Sequence, residues 1–208
     1  MEVILNQVGK RFNFNWIFNN VSLTVLSGEH RVIIGSNGSG KSTMLQLLAG
    51  AQMPSAGSIT WKLNNEPVAD DKIYKHVSIA APYLELIEEF TLREHIDFHF
   101  SVKNPVKGLD TALIIQRSGL KNVSDRRVSY FSSGMKQRLK LSLAILSDTP
   151  LLLLDEPLSN LDREAADWYL SMVREYGQGR TIIVCSNSQE NEYSYCSAGL
   201  NMNVKAGV

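Results

Sequence analysis

The sequence is poor in cysteine, with Cys185 and Cys196 the only two. One falls at the end of an apparent strand and the other in a late loop, so no second pair completes a zinc site and reduced thiols are expected. Net charge is also missing, since 21 Lys and Arg balance 21 Asp and Glu. That balance excludes an overall field drawing the chain to nucleic acid or to an anionic membrane, and no nucleic-acid partner is expected. Long apolar runs are absent too: Leu151 to Leu154 stops far short of the roughly 18 residues that cross a bilayer. The start, Met1-Glu2-Val3-Ile4-Leu5-Asn6, has neither the basic region nor the apolar core of a signal peptide. A soluble, intracellular protein is expected. No repeat, low-complexity tract or long charge run interrupts the sequence.

What is present suits a globular α/β chain: 208 residues, 44% hydrophobic, with 14 Gly and 6 Pro. A core of this size usually stays undivided below about 250 residues, so a single domain over 1–208 with one inserted lobe is expected. Val3–Leu5 and Val21–Leu26 read as strands of an N-terminal antiparallel part. Arg31–Ile34 is a short β-branched run, followed by a helix from about Lys41 to Ala49. Gly57–Trp61 and His76–Ala80 read as strands, whereas Thr91–Phe100 and Leu109–Ser118 have helical spacing and suggest a helical insert at about 83–135. A further helix runs from Ser132 through Leu146 until Pro150 stops it. Leu151–Leu154, apolar on both faces, reads as a central parallel strand. A helix over 162–176, a strand over Arg180–Cys185 and about twenty less regular residues complete the map. Strands alternating with helices predict a mostly parallel sheet.

Between the strand ending at Ile34 and the next helix lies Gly35-Ser36-Asn37-Gly38-Ser39-Gly40-Lys41-Ser42, which fits G-x-x-x-x-G-K-[ST] in the context its chemistry requires. Small residues let backbone N–H groups turn toward phosphate oxygens, and the helix start adds partial positive charge. Lys41 should reach the β- and γ-phosphates, the hydroxyl of Ser42 suits Mg²⁺, and Thr43 completes the candidate nucleotide-binding set.

Asp155 and Glu156 follow the buried strand, at the carboxyl end where open α/β sheets place their ligand chemistry. Asp155 would hold Mg²⁺ directly or through water, and Glu156 would orient or deprotonate an attacking water.

Phe131-Ser132-Ser133-Gly134-Met135-Lys136-Gln137-Arg138 opens a helix, with Ser132 or Ser133 as N-cap. This segment resembles the LSGGQ-x-QR signature of ATP-binding cassette (ABC) ATPases. Ser159-Asn160-Leu161-Asp162 is similar to the D-loop of that family, and Phe12 resembles the aromatic that stacks on adenine, with Trp16 as its rival. The resemblance spans nearly all of residues 1–190 in the right order. It implies a P-loop NTPase core of α/β class with an N-terminal antiparallel part and an inserted helical subdomain. ATP and Mg²⁺ are the implied ligands, and ATP hydrolysis the implied reaction.

The resemblance further implies a head-to-tail homodimer in which Ser132 and Gly134 contact the γ-phosphate held by a second copy. It also implies a separate membrane-spanning permease docking near the insert, with Tyr83, Leu84 and Phe90 as candidates, and hence a cytoplasmic subunit peripheral on the inner face of the membrane. A soluble regulatory ATPase and a nucleotide-gated binding module with little turnover are the competing expectations. Two departures support the latter. No Gln occurs between Gln52 and Gln116, so the family's γ-phosphate-sensing Gln is replaced near Ala81-Pro82-Tyr83. The family's switch His is replaced by Asn187, an amide that can donate to phosphate and carries no exchangeable proton as imidazole does. His95 and His99 are expected to pack rather than bind metal. Lys136, Arg138 and Lys140 are expected to form a solvated helix face.

Overall fold

A computed structural model describes residues 1–187 and 190–203. The described residues divide into two compact units: those of 1–79, 149–156 and 179–203 form the first, and residues 80–148 with 157–178 the second.

The first unit contains two sheets. β1 (Glu2–Phe12) and β2 (Asn15–Val25) make a long hairpin, and β4 (Ala56–Leu63) and β5 (Glu66–Val68) extend it in the antiparallel order β2-β1-β4-β5. The second sheet has the order β6-β7-β8-β3-β9, built from β3 (His30–Ile34), β6 (Val77–Ala80), β7 (Leu151–Asp155), β8 (Thr181–Ser186) and β9 (Ala198–Asn201). Strands β7, β8, β3 and β9 run parallel to one another. α1 (Lys41–Leu48) follows β3, and its Met44, Leu45, Leu47 and Leu48 join Val3, Leu5, Ile33, Leu151 and Ile183 in one buried cluster. Burying such side chains stabilises by about 1.5–3 kcal/mol each. All five residues of β7 are buried, which explains why the run from Leu151 lacks any polar alternation. α6 (Glu190–Tyr193) is a single turn before β9.

Two expectations change here. The N-terminal strands are longer than their apolar patterns suggest, at eleven residues each, and β2 is an edge strand whose residues 15–20 face largely outward and carry no alternation. The closing residues are not simply irregular, since β9 pairs with β3 from Arg31↔Ala198 to Ile34↔Asn201.

The second unit is helical: α2 (Leu92–Val102), α3 (Thr111–Arg117), α4 (Ser133–Ile145) and α5 (Arg163–Tyr176). Their starts are written in local side chains. Thr91 and Glu94 form a capping box on α2, with Glu94 Oε2 accepting from Thr91 N at 2.8 Å, and these bonds hold the Glu94 carboxyl below its ordinary range. Asp110, Ser132 and Asp162 cap α3, α4 and α5. α2 lies against α3 and α4, and α4 against α5, over a core that includes Leu92, Ile96, Ile114, Leu139 and Tyr169.

Candidate functional site

The glycine-rich loop sits between β3 and α1, as its motif requires. Gly35 N–H donates to Ser186 O at 3.2 Å, and Ser39 N–H closes a turn on Ser36 O at 3.1 Å. Gly40, at φ +97°, turns the chain into α1, and a Cβ there would lie 2.6 Å from Ile17 Cγ2 and 3.0 Å from Phe18 Cδ1. Only glycine fits this left-handed, crowded position. As N-cap it has no capping side chain, so the opening amides of α1 are left for an external anion.

Lys41 is 5% exposed and folds back along the loop. Its ammonium donates to Gly35 O at 2.9 Å and Ser36 O at 3.2 Å, and lies 3.8 Å from Glu156 Oε1. The buried charge is thereby satisfied by carbonyls that a phosphate could replace at the same cation. Ser39 Oγ is buried with no protein partner.

At the end of β7, Asp155 is 1% exposed, and its Oδ2 has no hydrogen-bond partner. Burial raises the Asp155 carboxyl above its ordinary range, and the neighbouring Ser42 hydroxyl opposes that shift in part. Glu156 adopts φ +46°, an unusual backbone for a non-glycine residue, while its N–H donates to Cys185 O at 2.9 Å. The left-handed turn carries its carboxylate toward Lys41 rather than onward with the strand. Local strain of this kind gathers at functional positions.

Other first-unit candidates lie at the surface. Phe12 is 47% exposed, with Lys10 Nζ 5.2 Å from its ring centroid, and Trp16 is 44% exposed under Arg11 at 5.6 Å. Asn187 is exposed just past β8, where Ser186 Oγ bonds the buried Glu192.

The second unit contains the signature segment. Ser132 Oγ accepts from Met135 N at 3.3 Å, capping α4, and Ser132 and Ser133 are exposed. A Cβ on Gly134 would lie 3.0 Å from Asn160 O, so the small residue lets the 159–162 loop approach the helix start. Ser132, Gly134, Asn160 and Asp162 share a groove of about 370 Å³ with Asn122 and Arg138.

The basic residues of α4 are part-exposed, and each is also engaged by a neighbour. Lys136 pairs with Glu88, Arg138 lies over Trp168 at 5.2 Å, and Lys140 donates to Pro82 O at 3.1 Å. Long cationic side chains reach partners that helical spacing cannot display. Lys140 and Lys136 line a second groove, of about 390 Å³, with Pro82, Leu84, Glu85 and Glu88. Tyr83 is 39% exposed, whereas Phe90 is half-buried with its ring edge-on to Phe98 at 5.7 Å. His95 and His99 are in packing positions: His95 Nε2 accepts from Ile87 N at 3.2 Å, and His99 Nε2 meets Ser147 Oγ at 3.0 Å.

Among the described residues no group of three His, Cys, Asp or Glu side chains could hold a metal ion, and no helix is long and apolar enough to cross a membrane.

Comparison with known proteins agrees with this geometry. The family described as "ABC transporter" matches residues 18–159, more than half of the chain. The chain is 32% identical over 195 residues to an uncharacterized ABC transporter ATP-binding protein, YybJ, of Bacillus subtilis (strain 168), covering 93% of this chain and 89% of that protein. It is 34% identical over 197 residues to the Nod factor export ATP-binding protein I of Rhizobium sp. (strain N33), covering 91% of this chain and 64% of that protein. The chain thus spans less than two thirds of the Nod factor relative. Among solved structures, the ATP-binding subunit of an ABC transporter superposes with a TM-score of 0.81 at 25% identity, covering 97% of this chain and 85% of that one. A bacterial ABC transporter cassette solved as a dimer gives 0.80 at 22% identity, covering 96% and 94%. The phosphate loop and the aspartate–glutamate pair therefore stand in a chain that belongs to the ABC transporter family, as one of its ATP-binding cassettes.

Proposed function

We propose that the chain binds and hydrolyses ATP and, by ATP-driven pairing with a second nucleotide-binding subunit, powers transport through a separate membrane-spanning permease. Residues 1–208 act as one nucleotide-binding domain, with the insert at about 83–135 serving the permease side. The observation that carries this reading is the convergence of three incomplete groups on one loop: an uncapped helix start, a buried cation held only by loop carbonyls and a neighbouring carboxylate, and an orphaned carboxylate oxygen. A triphosphate with a hard divalent cation completes all three.

Gly35, Ser36, Asn37, Gly38, Ser39, Gly40, Lys41, Ser42 and Thr43 form the phosphate-binding loop: Gly35 and Ser36 are its anchored opening, and the amides not tied within the protein, the ammonium and the hydroxyls beyond them bind the phosphates. Phe12 stacks on the base. The orphaned Asp155 Oδ2 beside the Ser42 hydroxyl fits Mg²⁺, which takes few protein oxygens and completes its shell with phosphate and water. When bound, the ion neutralises charge on the phosphates. Glu156 orients the water that attacks the γ-phosphorus and takes its proton as the bond to the bridging oxygen breaks. Asn187 donates its amide to the γ-phosphate.

Ser132 and Gly134 bring the amides of the α4 start to the γ-phosphate of the second copy, so release of phosphate loosens the pair. The groove beside Pro82 receives the permease, which places the chain at the cytoplasmic face of the membrane. The transport names of the relatives do not favour a soluble regulatory ATPase or a non-hydrolysing module. Calorimetry with ATP and Mg²⁺, followed by phosphate release from the purified chain, tests the reading: saturable binding and turnover are expected, and absence of nucleotide uptake by folded protein removes it.

A further inference from the structure

The phosphate loop is held from a point 167 residues away in sequence. Met202 N–H donates to Ile34 O at 2.8 Å, which continues the β3–β9 pairing and brings residue 203 to the start of the loop. Asn203 Oδ1 there accepts from Ser36 N at 2.8 Å and from Ser36 Oγ at 3.0 Å. Asn203 is itself fixed, because its own N–H donates to Asn201 Oδ1 at 2.9 Å. Gly35 N–H is meanwhile tied to Ser186 O at 3.2 Å. The two residues that open the loop are thus anchored to β8 on one side and to the β9 turn on the other, while Lys41 reaches their carbonyls. A serine at 36 matters to this arrangement, since its hydroxyl adds a second donor to the backbone N–H.

We propose that Asn203 is a positioning residue for the phosphate loop. It does not react; it holds the Ser36 arm in place before nucleotide arrives, so that less conformational freedom is lost when a triphosphate settles on the remaining amides. This rests on the reading of the loop as a triphosphate site. The side chain spends a neutral amide oxygen on the task, which adds no negative charge beside the phosphates. A carboxylate at 203 would accept the same bonds and repel the ligand.

Three variants test this in the full chain: Asn203→Ala, Asn203→Asp and Ser36→Ala. Asn203→Ala is expected to raise the KM for ATP about five- to tenfold with kcat changed by less than about twofold, the effect of losing a pair of neutral hydrogen bonds. Amide hydrogen exchange of the ligand-free chain should accelerate over residues 35–38 and stay unchanged in α4. Asn203→Asp, which keeps an accepting oxygen, should restore slow exchange while leaving KM high. Ser36→Ala removes one of the two bonds and should give a smaller rise in KM, less than additive with Asn203→Ala.

Unchanged KM and unchanged loop exchange in Asn203→Ala overturn the inference, and so does tighter nucleotide binding, which would make the side chain a plug. If the wild-type chain takes up no ATP, the triphosphate reading fails, and the exchange arms still decide whether Asn203 holds the loop. Should Asn203→Ala fail to fold, Ser36→Ala and Asn203→Asp carry the same decision.

Discussion

The starts of α1 and α4 follow the same anion logic with opposite finishing. α1 opens from Gly40 in a left-handed conformation with no side-chain cap, above a buried ammonium and beside two strand-end carboxylates. α4 opens from extended Ser132, whose hydroxyl already caps Met135 N at 3.3 Å, and the cations of its first turns, Lys136 and Arg138, are engaged by Glu88 and Trp168. An uncapped, charge-backed start can hold a phosphate by itself. A capped start with its cations engaged contributes only once a ligand is presented to it. This difference is the physical ground for expecting the phosphate loop to supply affinity and the signature to supply closure.

The sharpest way to break that contrast is at the catalytic carboxylate. Glu156→Gln should lower phosphate release about 10²- to 10⁴-fold, the usual worth of a positioned base, while calorimetric ATP binding survives. Equal rates would remove the catalytic role. Lys41→Ala should weaken ATP binding about 10- to 100-fold, because charge-assisted hydrogen bonds are worth about 1.5–3 kcal/mol. Ser132→Ala should leave monomer binding nearly intact and weaken ATP-dependent dimerisation, measured by sedimentation, with about 1 kcal/mol of stability lost with the cap. If Ser132→Ala weakened monomer binding as much as Lys41→Ala does, the two starts would not differ as argued.

Two smaller effects concern stability. Burial lifts the Asp155 carboxyl above its unfolded value, so the unliganded chain is penalised as pH rises through the folded pKa. Asp155→Asn should therefore raise the thermal midpoint at pH 7 without ligand, by about 2–4 °C per kcal/mol relieved. It should also abolish the added stabilisation from ATP with Mg²⁺. His99 behaves in the other sense: burial, ahead of Lys103 and His95, pushes it down to about 4 from 6.5. Its neutral form supports the fold at neutral pH, and that support is lost as pH falls from about 6.5 toward 4. His99→Gln should flatten the midpoint-versus-pH curve across that window in the ligand-free chain.

The readable features were those confined to a few neighbouring residues. Ser132 before its helix, Gly40-Lys41 after a β-branched run and the unbroken apolar strand before Asp155 all state their structure locally. The full length of edge strand β2 is hidden from the sequence because its outward residues carry no alternation, and β9 is hidden because four residues of mixed polarity carry no pattern at all. For the basic residues of α4, period says which face a side chain leaves from, and only the fold says what it reaches.

The order of motifs along the chain determined the family and the chemical classes of its ligands, because backbone amides, a lysine and strand-end carboxylates at those spacings suit a phosphate ester whatever surrounds them. Tertiary structure alone decided that Lys41 rests on loop carbonyls, that Asp155 keeps one oxygen without a partner, and that Asn203 props Ser36. The first is a turn of the loop on itself that composition does not display; the other two depend on packing strands distant in sequence, and pairing across more than a hundred residues leaves no mark on local composition.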